Sequence, residues 1–193
     1  MRGQAHTVEA FAAAVLVVGG LIFATQATAV TPLSASTSNQ HIENQQQASV
    51  EGLLAASAKN GTLAEAVLHW DADEGDFDGA PDSGVYAEGP PNPFGDDLNE
   101  LLGDRRIAFN VVVRYPDGEG GTDTEPMVRM GQPSDNAVAA TRSVGLYDGS
   151  QLSSEEDGPT LGELDEGEFY APDIDPDSRL YTVVEVEVVA WRK

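Results

Sequence analysis

Carboxylates are the only reactive groups this chain has in quantity. Two close runs stand out: Asp71, Asp73, Asp76 and Asp78, then Asp173, Asp175 and Asp177. Oxygen donors so spaced are what a hard divalent cation takes, and an EF-hand loop would show glycine at its sixth position and glutamate at its twelfth. Counted from Asp71, those positions hold Asp76 and Asp82; counted from Asp173, the sixth is Ser178. Neither run fits, so no metal site is assigned and both are read as solvated loop surface. Nucleophilic chemistry lacks its parts. The chain has no Cys, which removes disulfides, thiolate metal sites and a Cys nucleophile together. His6, His41 and His69 belong to no His-Glu-x-x-His pattern, and there is neither a Gly-x-Ser-x-Gly elbow nor a glycine-rich phosphate loop. Gly118-Glu119-Gly120-Gly121 reads as a hairpin turn. With 33 acids present, a carboxylate pair suited to glycoside hydrolysis arises by abundance alone and identifies nothing. The chain is therefore read as no enzyme, with no catalytic, cofactor-binding or metal residues. One modification signal remains: Asn60-Gly61-Thr62 is an acceptor for N-glycosylation at Asn60, although the same residues would serve as helix stop and cap.

The acids bear on partners through their sum. Asp and Glu number 33 against 10 Lys and Arg, a net charge of −23. Residues 1–70 hold four acids and two bases, leaving a net of −21 on residues 71–193. Such a surface repels nucleic acid and anionic lipid. High charge with few hydrophobes reads as disorder, but strongly β-patterned apolar runs lie between the acidic loops. In molar salt the screening length falls to about 3 Å and self-repulsion is muted. A folded body in a salt-loving cell is the reading that fits, and eight Arg against two Lys (Lys59 and Lys193) accords with it.

Residues 10–30 carry no charge over 21 positions, and about 20 apolar residues cross a bilayer as a helix. Arg2 precedes them and no base follows until Lys59, which places residue 2 inside the cell and the body outside. Three fates are open. The segment is a plain anchor; or it is a secretory signal cut after Ala29, at Ala27-Thr28-Ala29; or it is a prepilin-type signal, cut ahead of the apolar run.

Arg2-Gly3-Gln4, then Glu9, then the unbroken apolar run resembles the processing site of haloarchaeal type IV pilin-like proteins. The resemblance covers roughly the first 30 residues. It implies a prepilin-type peptidase cutting between Gly3 and Gln4, so that residues 10–30 stay on the mature chain in membrane lipid. It also implies that Glu9 meets the terminal amine of a neighbouring pilin-like subunit, a contact that offsets the cost of a carboxylate at the edge of hydrocarbon. Glu9 would be the sixth mature residue, where that family usually has its acid at the fifth.

The elements that carry these groups are set by the period of the apolar residues. Residues 31–38 are a small polar hinge containing Pro32, and 39–59 permits a helix with Ile42, Val50, Leu53 and Leu54 on one side. Asn60-Gly61 stops it, and Thr62 with Glu65 forms a capping box for a second helix to His69. Residues 71–93 read as loop and 96–102 as a helical turn. Alternation then predicts strands over 106–115, 122–130, 137–147 and 180–192. In the last, Leu180, Val184, Val186 and Val188 form the inner face, with Tyr181, Glu185, Glu187 and Trp191 outside. The expected fold is α+β: a long N-terminal helix, transmembrane plus stalk, packed on a small, mainly antiparallel sheet of about four strands. The division is 1–9 cytoplasmic, 10–30 membrane, 31–69 hinge and helices, and 70–193 an acidic extracellular domain. The expected role is a pilin-like structural subunit of a surface filament or pseudopilus-type complex; the alternative is a standalone anchored or secreted surface binding protein.

Overall fold

A computed structural model describes residues 17–18, 33–78, 80, 89–153 and 158–192, with residues 33–39 described by backbone alone. The chain divides into two units, Met1–Ile42 and Glu43–Lys193. All the strands among the described residues belong to the second.

Helix α1, Leu33–Asn60, begins in the first unit and is built largely from Ser, Asn, Gln and Ala. Its buried side is narrow: Val50, Leu54 and Ser57 are each no more than 1 % exposed, at the spacing of one helical stripe. It ends because Gly61 adopts φ 93, the left-handed geometry that suits glycine. Helix α2, Thr62–Leu68, comes at once and buries Leu63, Ala66, Val67 and Leu68. The expected capping box at its start does not form. Gly61 holds the N-cap position, and Thr62 turns its hydroxyl back to donate to Asn60 Oδ1 at 2.8 Å. A single residue between the helices leaves Thr62 inside the second one.

Residues 71–93 are more than loop. Strands β1, Trp70–Asp71, and β2, Asp76–Phe77, pair antiparallel, and helix α3, Pro93–Leu101, comes after them. Asn92 caps α3 by accepting the Gly95 N–H at 3.1 Å, and Pro93 starts the helix where a missing N–H does no harm. Phe94, Leu98 and Leu102 lie on its buried side.

Four longer strands make one sheet: β3, Ile107–Pro116; β4, Thr122–Arg129; β5, Val138–Tyr147; and β6, Leu180–Arg192. The order across it is β4-β3-β6-β5, every pair antiparallel. The β3–β4 hairpin turns on Asp117, whose Oδ1 accepts the N–H groups of Glu119 and Gly121. On the core face Phe109, Val111 and Val113 stand beside Ala190, Val188 and Val186. These residues join Val50, Leu54 and the buried residues of α2 and α3 in one cluster. The opposite face carries Arg114, whose guanidinium lies 2.7 Å from Glu187 and 3.9 Å from Glu185 on β6.

The expected long N-terminal helix, transmembrane plus stalk, is overturned. Among the described residues no helix is long and apolar enough to cross a membrane. The helix that does form starts at Leu33 and is too rich in Ser, Asn and Gln to enter lipid, and its core contacts begin only at Val50. The helical side of the core is instead shared by α1, α2 and α3. Two side chains of β6 also differ from simple alternation. Thr182 pairs with Leu146 and Leu180 with Tyr147, so Tyr181 is the extra residue of a bulge and joins the core against Phe169. Trp191 lies on the opposite face yet is buried, beside Gly131 in the connection that crosses from β4 to β5.

Candidate functional site

A cleft of about 420 Å³ lies between the β1–β2 hairpin and residues 152–153 and 164–170. Local chemistry makes both walls. In the hairpin, Asp71 Oδ1 accepts the N–H groups of Asp73 and Glu74 at 2.9 and 3.1 Å, and Gly75, at φ 74, donates to Asp71's carbonyl. The first acidic run is thus a turn closed by its own leading carboxylate. Trp70 and Phe77 face each other across the two strands, their rings edge-on with centroids 4.8 Å apart. The Trp70 indole N–H reaches the far strand β4 and donates to Glu125 Oε1 at 3.1 Å.

The second wall is pinned at three points. Thr160 and Glu163 form a capping box around the short helix Leu161–Glu163. Glu168 Oε2 accepts the Asp165 N–H at 2.7 Å. Tyr170 donates its hydroxyl to the Val67 carbonyl of α2 at 3.2 Å, with Phe169 packed against it at 4.2 Å. The result is an aromatic floor of Trp70, Phe77, Phe169 and Tyr170 under a carboxylate rim.

Three ionisable groups beside the cleft resist negative charge. Burial raises the Glu125 carboxyl above its ordinary value, and the Trp70 bond offsets only part of that. Burial, followed by the charges of Asp123 and Glu125, raises Tyr115; burial and then Glu125 push Tyr170 well above its ordinary range. Shifts downward occur where backbone N–H groups hold a carboxylate, as Gly121 and Glu119 hold Asp117 and as Thr160 holds Glu163. Chemically, the cleft offers carboxylates and aromatic faces to a positive group. Among the described residues no group of three or more His, Cys, Asp or Glu is placed to hold a metal ion.

Of the residues singled out in the sequence, Gly3, Gln4, His6, Glu9 and Asp82 lie outside the described residues. Asn60 is exposed, with its side-chain oxygen accepting from the Thr62 N–H and hydroxyl at 3.2 and 2.8 Å. His41 is exposed on α1, whereas His69 lines the cleft. The run Asp173–Asp177 is not part of the cleft; Asp173 Oδ1 closes its own turn on the Asp175 N–H at 2.9 Å. Sequence reasoning missed Glu168, Phe169 and Tyr170. The signal available was two adjacent aromatics inside an otherwise polar, acidic loop, which have little reason to be there unless buried.

A protein-family profile matches residues 2–190, and the chain belongs to that family, a family of unknown function (DUF7288). No curated protein and no solved structure matches it.

Proposed function

We propose that this member of the DUF7288 family is a pilin-like, non-catalytic subunit of a cell-surface filament or pseudopilus-type complex in a halophilic archaeon. In this reading residues 10–30 hold the chain in membrane lipid and the acidic unit Glu43–Lys193 is displayed outside the cell. One observation carries it: the order Arg2-Gly3-Gln4, Glu9 and then 21 uncharged residues. A peptidase cut between Gly3 and Gln4 leaves the apolar segment on the mature chain, where an ordinary secretory cut after Ala29 would remove it. Glu9 at the border of that segment needs a positive partner, and the terminal amine of a neighbouring subunit supplies one.

The test is made on the full-length chain expressed in its own membranes. Intact-mass analysis is expected to find a chain beginning at Gln4; a chain beginning at Val30 would establish secretion and remove the filament reading. Glu9→Gln is expected to leave processing and membrane insertion unchanged while recovery in filaments or detergent-stable complexes falls sharply. Glu43→Gln, beyond the apolar segment, is the control. Normal assembly of the Glu9 variant, or a wild type found only as monomer, would favour the second reading, an anchored surface binding protein. That second reading has its own observation, the cleft.

A further inference from the structure

We propose that the cleft between the β1–β2 hairpin and residues 152–153 and 164–170 is a binding site for an organic cation, an alkylammonium or guanidinium group seated on Asp76. The inference does not depend on how the N-terminus is processed.

Asp76 sets the cleft apart from the acidic loops. It is 8 % exposed, the one acidic residue among the buried residues described, and it lines the cleft. Asp71, Asp117 and Asp173 each satisfy a carboxylate oxygen by closing their own turns. Asp76 does not: among the described residues no hydrogen bond or ion pair holds its carboxylate. Its carboxylate oxygens are not among the fully buried polar atoms that lack a partner, so they keep contact with the open cleft that Asp76 lines, and a positive charge entering from outside is drawn to them. Among the described residues that line the cleft, His69 is the one base. No Lys or Arg occurs in residues 60–104 or 143–178, the two stretches that contain both walls, while those stretches hold 23 of the 33 acids. The rim carboxylates of Asp73, Asp78 and Glu168 add to the same field.

Size and lining decide which cation. A hard divalent ion needs six to eight converging oxygens, and no set of even three acidic or histidine ligands converges among the described residues. A space of about 420 Å³ lined in part by Trp70 and Phe169 is far larger than a bare ion. Aromatic faces attract ammonium and guanidinium groups, more strongly where water is excluded. Carboxylate and aromatic surface together therefore select a positively charged group with an apolar body. Such a group can come from a free small molecule or from a Lys or Arg side chain of another protein.

Binding is read from Trp70, one of only two tryptophans in the chain; Trp191→Phe leaves it as the sole reporter. The full-length protein in detergent is titrated with tetramethylammonium, with butylguanidinium, with the neutral isostere 3,3-dimethylbutanol, and with Ca²⁺. Saturable Trp70 fluorescence changes are expected with the two organic cations and not with the alcohol or Ca²⁺. Asp76→Asn is expected to weaken the organic cations by about tenfold or more, as losing one partner of a buried charge pair does. Should that variant fold poorly by near-UV circular dichroism, the exposed rim pair Asp73→Asn with Glu168→Gln is expected to weaken them by about threefold, as rim charges do. A short peptide with a central Lys or Arg distinguishes the source. Binding about tenfold tighter than the free cation identifies a protein side chain, and equal or weaker binding identifies a small molecule. The proposal is overturned if no organic cation saturates the signal, if Ca²⁺ alone does, or if both variants bind as the parent does.

Discussion

Two helical glycines make the same substitution run in opposite directions. Replacing Gly with Ala inside a helix ordinarily stabilises by about 0.8–1.0 kcal/mol. At Gly52, in α1, an added methyl meets nothing within 4 Å, so the full gain is expected. At Gly95, in α3, the same methyl overlaps the carbonyl oxygen of Pro90 and is also close to that residue's nitrogen. Overpacking costs about 1–3 kcal/mol where neighbours can adjust. Here the obstacle is backbone, with φ fixed by the Pro90 ring and the helix start held by the Asn92 cap, so the upper end applies. Subtracting the propensity gain leaves Gly95→Ala about 2 kcal/mol less stable than the parent. At about 2–4 °C per kcal/mol for a chain of this length, Gly52→Ala raises the melting midpoint by about 2–4 °C and Gly95→Ala lowers it by about 4–8 °C. Thermal unfolding by circular dichroism at constant salt measures both. A Gly95→Ala midpoint equal to or above the parent's would show that Pro90 does not press on this helix, and the account of α3 would have to be withdrawn.

Charge leads to two further outcomes. Burial raises the Glu125 carboxyl above its ordinary 4.5, so as pH rises the unfolded chain loses this proton first and the folded state loses stability between 4.5 and the raised value. Glu125→Gln removes that loss and keeps an acceptor for Trp70. Its stability relative to the parent is expected to grow from pH 4 to about pH 7 in parallel denaturation series, and a flat or shrinking difference would contradict the assignment. With −23 on the chain, dilution from molar to about 0.1 M salt lengthens screening to roughly 10 Å. Near-UV circular dichroism is expected to collapse on that dilution, and an unchanged spectrum and melting midpoint would remove the halophile reading.

The sheet was legible because its strands alternate cleanly. Ile107, Phe109, Val111 and Val113 recur at period two, and the structure starts β3 at Ile107. Strand order was not legible, since nothing in residues 180–192 says that they pair between β3 and β5. Single-residue effects defeated the pattern in three places. The bulge opposite Leu146 and Tyr147 put Tyr181 into the core, the crossing connection covered Trp191, and Gly61 displaced the cap from Thr62. The same Thr-x-x-Glu spacing does close a capping box at Thr160 and Glu163, where Thr160 is extended and free to act as the N-cap. Helix α1 was harder to judge. Its composition fits a polar surface helix, and the buried stripe at Val50, Leu54 and Ser57 is too short to show a strong period. The cleft was only half visible: its acids were plain in the sequence, but which of them is buried depends on pairing between strands of two residues each.

The position of β6 has a consequence for how this protein comes to exist. It is the last of the four strands in chain order, yet it is one of the two central strands, bonded to β3 on one side and β5 on the other. While a ribosome is still making it, the β3–β4 hairpin can close by itself, but β5 has nowhere to pair. The apolar face of Phe109, Val111 and Val113 then waits through more than thirty residues of acidic loop that separate β5 from β6. Pairings so distant in sequence close slowly. The sheet of a growing chain stays incomplete until β6 has been synthesised, and the carboxylates of that loop keep the chain soluble through the delay.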